Sequence, residues 1–337
     1  MVRRAREQRA GRHLHFCPLP RSDRAVGSRT TRTQGERMSN PRIGFVGIGM
    51  MGHGMVKNLL AKGFPVTFKV NRDRSRLEDL IAAGAKEVDS YAKLAADSDF
   101  VIVCVTGSPQ VEEVILGKGG LLEGAHKGLI VIETSTAEPG STAKVREALL
   151  AKGADLADAP LARTPKEAEE GRLNTMVGAD DALFAKVKPV MAAFCENIFH
   201  VGPAGAGHTL KLVNNFMAMT IVASIAEAFS VANKAGVKLD KLFEVVSMGA
   251  LNSPIFQMVA GGAVAGDLTR MKFAIRNAAK DMRYYTHLAE SLPVPSFVGE
   301  AVHQSYEQAV ALGLGDKLMA SMIEAQEQLT KQQIIRR

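Results

Sequence analysis

Ile43-Gly44-Phe45-Val46-Gly47-Ile48-Gly49-Met50-Met51-Gly52 is the stretch that decides the fold, and it runs on into His53-Gly54-Met55-Val56-Lys57-Asn58-Leu59. Its first four residues are a short apolar run that reads as a buried strand. Gly47-x-Gly49-x-x-Gly52 then turns the chain into a helix whose apolar positions recur at helical spacing. That order suits a dinucleotide. Gly47 permits the tight turn, Gly49 lets backbone approach a pyrophosphate, and Gly52 lets helix and strand pack closely. The first N–H groups of the helix then face the phosphates, with the positive end of the helix dipole behind them. A glycine-rich turn alone is a weak sign, and its weight comes from standing between a strand and a helix at the head of an α/β pattern.

From residue 41 to about 200 short apolar strands alternate with amphipathic helices, which implies a parallel sheet with right-handed crossovers. The strand candidates are Ile43–Val46, Val66–Val70, Phe100–Val105, Leu129–Glu133, Leu156–Asp158 and Thr175–Gly178. Helices fall at about 52–62, 73–83, 109–116, 140–152 and 181–194. After Gly202-Pro203-Ala204-Gly205-Ala206-Gly207 the character changes. A long, mostly apolar helix pattern runs from Thr209 to Asn233, too apolar all round to be solvated, and no strand pattern follows it. Further helices lie near 238–248, 254–261, 271–290, 296–313 and 316–331. The expected fold class is therefore α/β: a Rossmann-type dinucleotide-binding domain over 39–202, then an all-α domain over 203–337 for substrate binding and oligomerisation, with 1–38 as an extension.

At 337 residues, with 23% charged and 46% hydrophobic, the chain has the composition of a soluble globular protein with room for two cores. No uninterrupted apolar run approaches the roughly 18 residues that span a bilayer, and no membrane partner is expected. Cys17, Cys104 and Cys195 form no CxxC, which argues for a reducing compartment. The net charge of +7 lies entirely in residues 1–37, where ten arginines face only Glu7, Asp23 and Glu36. The body is neutral, so nothing in it recruits nucleic acid. The basic segment could be a mitochondrial transit peptide or a nucleic-acid-binding arm; the preferred reading is an upstream start, the natural chain beginning at Met38. A cytoplasmic location follows, with the mitochondrial matrix as the alternative. His13-x-His15-x-Cys17 resembles a metal cluster by residue type only, and no metal is expected.

Lys211, Asn214 and Asn215 lie at i, i+3 and i+4 and share one face of the apolar helix. Among Leu210, Leu212, Val213, Phe216 and Met217 they need partners, and on spacing alone a structural network is the favoured reading. The functional reading puts them in a cleft, where a partly desolvated lysine acts as general acid or base. Lys280-Asp281 is a second candidate, by itself commonly a surface pair. His208, three residues before Lys211, reads as a capping or exposed histidine rather than one that tunes the lysine.

Four spaced matches, in order, resemble the β-hydroxyacid dehydrogenase family over about residues 41–331. They are Gly47-Ile-Gly-Met-Met-Gly-His-Gly-Met55, Asp158-Ala159-Pro160, Gly205-Ala-Gly-His-Thr-Leu-Lys211-Leu-Val-Asn214-Asn215, and Lys280-Asp281. The resemblance implies that Lys211 is the catalytic acid/base. Asn215 would hold substrate and Lys211, with Asn214 nearby. Gly47, Ile48, Gly49, Met50, Met51 and Gly52 would contact the cofactor, as would Val105 and Thr106, although Thr106 stands where proline is usual. Ser135 would contact the substrate, Thr136 would lie near the nicotinamide side, and Lys280 would close from the helical domain.

Two departures carry information. Most of the family continues Asp-Ala-Pro with Val-Ser-Gly-Gly; this chain has Leu161-Ala162-Arg163-Thr164-Pro165, similar to the Gly-Arg-Thr of sulfolactaldehyde reductases. Arg163, a planar fork of donors, and the Thr164 hydroxyl are then expected to meet an anionic group of the substrate: a sulfonate, a phosphate or a second carboxylate. The alternative is that Arg163 points to solvent or into a subunit contact. After the second strand, Asn71-Arg72 resembles the pair of NADP-using members, whereas Asp73 could serve the ribose of NAD. The expected activity is interconversion of a small 3-hydroxy acid, or sulfonate analogue, and its semialdehyde. NADP is favoured and NAD is the alternative, in a homodimer or homotetramer. The other readings are an NAD-linked dehydrogenase of 3-hydroxyisobutyrate or serine, and a cofactor-binding protein using its basic tail on nucleic acid.

Overall fold

Every residue of β1 (Ile43–Val46) is buried, as a strand covered on both faces must be. In a computed structural model of the chain, which describes residues 40–70 and 74–335, β1 pairs in parallel with β2 (Val66–Lys69) on one side and β4 (Phe100–Val103) on the other. Parallel pairing continues outward through β3 (Lys86–Glu87) on one flank, and through β5 (Ile130–Glu133) and β6 (Asp155–Asp158) on the other. The strand order 3-2-1-4-5-6 is that of a doubly wound dinucleotide-binding sheet, with its switch point between β1 and β4. The arginine-rich extension, Asn71, Arg72 and Asp73 lie outside the described residues.

Helices α1 (Gly52–Ala61), α2 (Glu78–Ala82), α3 (Tyr91–Ala96), α4 (Ser108–Leu116), α5 (Leu121–Gly124) and α6 (Pro139–Leu150) supply the crossovers. The expected parallel sheet is corrected at its far edge. The strand placed at Thr175–Gly178 is longer, β8 (Leu173–Gly178), and runs antiparallel to β6, meeting it only at Asp158↔Gly178. The reason is local: after Pro160 the chain forms β7 (Leu161–Ala162) and the one-turn α7 (Pro165–Glu169), too short a link to carry it back for a parallel crossover. β7 lies against β8, and α8 (Asp181–Met191) then returns the chain to β9 (Cys195–Gly202), parallel to β8.

The helical half begins with α9 (Ala206–Lys234), 29 residues long. Around it lie α10 (Leu239–Ser247), α11 (Pro254–Val264), α12 (Ile275–Ser291), α13 (Phe297–Ala309) and α14 (Met322–Thr330). Met219, Val222, Phe229, Val259, Met282 and Tyr306 form its core. By length and composition α9 could cross a membrane; in the structure its inner side packs on α11–α14. The expectation of a helix buried all round is corrected here. Leu210, Asn214, Met217, Ile221, Ser224, Ala228 and Val231 are exposed at alternating spacings of four and three, a single stripe along one side.

Candidate active site

Three segments end at the carboxyl edge of the sheet on either side of the switch point: the glycine loop after β1, Val105-Thr106 after β4, and Ser135-Thr136 after β5. The glycines divide their work as the dinucleotide reading requires. Gly47 sits at φ +95°, and a Cβ there would lie 2.0 Å from the Cys104 carbonyl oxygen. A Cβ on Gly52 would lie 2.2 Å from the Gly47 carbonyl oxygen, so helix and strand meet there without room for a methyl group. A Cβ on Gly49 would meet nothing within 4 Å: its face is open. Gly49 and Met50 are exposed, Ile48 and Met51 half-buried. The first turn of α1 carries no acidic residue, and no side chain caps it. An anion approaching there finds a positive helix end, and the loop fits a pyrophosphate.

Lys280, Tyr284 and His287 recur at i, i+4 and i+7 on α12 and face that edge. Lys280 Nζ donates to the Thr136 carbonyl oxygen at 3.3 Å and stands 4.7 Å from the Tyr284 ring centroid. Tyr284 Oη accepts from the Ser108 amide at 3.2 Å, and His287 Nδ1 lies 2.7 Å from Glu138 Oε1. A Cβ on Gly107 would lie 2.6 Å from Tyr284 Oη, so the loop after β4 and α12 are in close contact. Thr106 beside it is exposed. Ser135 Oγ accepts from the Val105 amide at 2.9 Å, tying the ends of β4 and β5 together.

Asp281, almost wholly buried, gathers the polar face of α9. Its Oδ1 is 2.8 Å from Lys280 Nζ and its Oδ2 accepts from Asn215 Nδ2 at 2.7 Å. Asn215 Oδ1 in turn takes a long contact, 3.4 Å, from exposed Asn214. Lys211 belongs to this group. Burial lowers its pKa from the ordinary lysine value; Asp281 opposes the shift and the neighbouring Lys280 charge adds to it. The structure thus joins Asn215 and Lys280 through Asp281 and brings Lys280 to Thr136, with Lys211 in the field of Asp281 and Lys280.

His208 corrects the reading of a capping or exposed histidine: its side chain has no exposure at all. Nε2 lies 2.7 Å from Glu133 Oε2, Nδ1 lies 2.6 Å from Thr142 Oγ1, and Asp158 Oδ2 is 3.8 Å from Nδ1. Burial alone would lower the His208 pKa, but Glu133 and Asp158 outweigh it and hold the value above the usual histidine range. Asp158 also caps α9 from another element, accepting from the Gly205 amide at 2.6 Å and the His208 amide at 2.8 Å.

Arg163 is engaged by its own surroundings in this structure. The residue sits at φ +80°, and its guanidinium donates to the Arg172 carbonyl and pairs with Glu196 on β9. Thr164 caps α7 in a capping box with Glu167. The two polar side chains are held by their own segment because a short helix and a neighbouring strand offer partners at once. Sequence reasoning missed Glu133, Tyr284 and Ser108. Glu133 had a signal, a carboxylate closing an otherwise apolar strand; Tyr284 and Ser108 had none, because their contact joins residues 176 apart.

Residues 42–202 match the family model for the NAD binding domain of 6-phosphogluconate dehydrogenase, and residues 205–326 the one for the NAD-binding region of NADP-dependent 3-hydroxyisobutyrate dehydrogenase. The chain is 32% identical over 294 residues to 2-(hydroxymethyl)glutarate dehydrogenase of Eubacterium barkeri, covering 86% of this chain and 96% of that one. It is 31% identical over 284 residues to 3-sulfolactaldehyde reductase of Escherichia coli, covering 84% and 94%. The crystal structure of a 3-hydroxyisobutyrate dehydrogenase from Salmonella typhimurium is similar with a TM-score of 0.73 at 26% identity, over 85% of this chain and 99% of that one. The chain belongs to the β-hydroxyacid dehydrogenase family, oxidoreductases acting on CH–OH groups with a nicotinamide dinucleotide.

Proposed function

We propose that this family member interconverts a short 3-hydroxy acid, or its sulfonate analogue, and the matching semialdehyde, with NADP favoured and Lys211 as general acid and base. When bound, the nicotinamide supplies or accepts the hydride. In the direction of reduction Lys211 Nζ gives its proton to the carbonyl oxygen, so that hydride on carbon and proton on oxygen complete the alcohol. A lysine whose pKa is lowered by burial is a better match to that transfer than an ordinary one. Asn215, oriented by Asp281, stands one turn along and can hold the substrate against the amine. The observation that carries the reading is the run of contacts from Asn215, one helical turn from Lys211 on α9, through Asp281 and Lys280 to Thr136 at the sheet edge.

The acidic group of the substrate is assigned to the Leu161–Thr164 loop, with Arg163 exchanging Glu196 for the incoming anion. Similarity to the sulfolactaldehyde reductase and to the NADP-dependent family model supports the substrate class and the cofactor. The exposed stripe of α9 is assigned to a second copy of the chain. Light scattering should then read a dimer or tetramer, and a monomer would remove that assignment. The activity test is initial-rate reduction of sulfolactaldehyde, succinic semialdehyde and glyoxylate with NADPH and with NADH, for wild type and Lys211→Ala. Turnover should fall by about 10²–10⁴-fold in the variant. Unchanged turnover in the variant, or none in wild type with any of these, overturns the proposal.

A further inference from the structure

The carboxylate of Glu133 touches two things that the chemistry must keep in register. Its Oε1 accepts from the Ser135 amide at 2.7 Å, at the loop that also carries Thr136. Its Oε2 meets His208 in the first turn of α9, one turn before Lys211. The Glu133 side chain is 2% exposed and that of His208 is not exposed. Glu133 Oε1 takes the Ser135 amide, and Asp158 takes the amides of Gly205 and His208; Glu133 Oε2 stands 2.7 Å from His208 Nε2 as an ion-pair contact, in which neither of these buried atoms makes a hydrogen bond. On the other side His208 Nδ1 reaches Thr142 Oγ1 on α6. Ends of two strands, one crossover helix and the start of α9 are thereby held by a single buried residue pair. A buried ion pair of this kind is costly to desolvate, and removing one partner leaves the other uncompensated, so the two residues hold their elements together only as a pair.

We infer that Glu133 and His208 are positioning residues for Lys211, fixing the first turns of α9 against the Ser135–Thr136 loop so that the lysine amine stays partly desolvated beside Asp281. Neither residue touches the reacting atoms in this arrangement. Both act through the helix that carries the amine. The inference rests on Lys211 being the acid and base, but its geometric content does not.

The test reads Lys211 itself in the protein without substrate. Competitive acetylation of the amine across pH, followed by peptide mass spectrometry, gives its pKa in wild type, Glu133→Gln, His208→Gln and the double variant. The charged groups facing the amine, Asp281 and Lys280 of α12, are left in place throughout. Loosening the first turns hydrates the amine, so its pKa should rise by at least about half a unit in each variant. Val187→Ala, a fully buried change on α8 at a side chain that makes no polar contact with Glu133, His208, Thr142 or Asp158, should leave the value alone even if the melting temperature falls. Turnover of the best aldehyde acid should drop about tenfold or more in the network variants, with KM for NADPH within twofold. An unmoved Lys211 pKa in the network variants, or an equal shift in Val187→Ala, overturns the inference. If a single variant does not fold, the double variant, which removes Glu133 and His208 together and leaves Asp158 its two backbone amides, decides. Absence of turnover in wild type would defeat the proposed reaction and leave the labelling result to decide this one.

Discussion

The glycine loop after β1 and the cluster around Lys211 serve the same sheet edge but are made of opposite materials. The loop is backbone: its work is done by a positive φ at Gly47, an open face at Gly49 and a missing Cβ at Gly52. The cluster is side chain: an amine, an amide and a second lysine gathered by one buried carboxylate. A backbone site depends on a few adjacent residues and grips a common ligand. A side-chain site depends on helices far apart in sequence, and under the proposed function it decides what the ligand is used for. Grip and chemistry should therefore be separable.

Lys211→Ala is the widest break available. Its loss of turnover by about 10²–10⁴-fold should come with an NADPH affinity within about threefold of wild type, read by fluorescence titration. A larger loss of affinity would mean that the two regions are one. Gly47→Ala attacks the other side. A Cβ at φ +95°, pressed on a carbonyl oxygen, costs on the order of 1–3 kcal/mol of local strain. NADPH should then bind roughly tenfold or more weakly, while the Lys211 pKa found by labelling stays at its wild-type value.

The contrast also governs what was legible. The glycine loop could be read from ten consecutive residues, since each glycine answers to a local backbone demand. Lys211, Asn214 and Asn215 could be grouped by helical spacing, yet spacing alone favoured a structural role; Asp281, from another helix, takes Asn215 and sets its charge near Lys211. His208 was misread because an imidazole near a helix start has many exposed precedents, and the strand-end carboxylates that bury it lie 50 and 75 residues earlier in the sequence. The antiparallel turn of β8 was hidden for a similar reason: its strand looks like its parallel neighbours, and only the short Pro160–Arg172 link sets its direction. The expectation for cofactor choice rests on Asn71, Arg72 and Asp73, which lie outside the described residues.

Between the two regions lies the Glu133–His208 pair, and its charge gives a pH signature. The His208 pKa is raised in the folded protein, so its stabilising contribution is complete below the unfolded value of 6.5 and fades as pH climbs through the folded value. Breaking a buried pair costs about 3–5 kcal/mol, which corresponds to a melting-temperature gap on the order of 10 °C between wild type and His208→Gln near pH 6. The gap should narrow towards pH 9, and the Glu133→Gln/His208→Gln double variant should recover most of it. A gap that does not change with pH would mean the pair is held as neutral hydrogen-bonded groups, and would separate its packing from its charge.

The smallest effect is the most informative about substrate. Arg163 holds a left-handed backbone conformation without being glycine, at a cost of roughly 1–2 kcal/mol. Its guanidinium is bound to Glu196, a half-exposed carboxylate. A partly exposed pair of this kind is worth about 0.2–1 kcal/mol, little enough for a substrate anion to displace. Glu196→Ala removes the competitor, and KM for sulfolactaldehyde should fall about two- to fivefold, since 1.4 kcal/mol is a factor of ten. Arg163→Ala should raise the same KM and leave cofactor affinity unchanged. If Glu196→Ala moves no KM, Arg163 is a tie between the loop and β9. The substrate's acidic group must then be held by the loop backbone, and the chemistry would be set by the side-chain cluster while the anion, like the cofactor, is gripped by main chain.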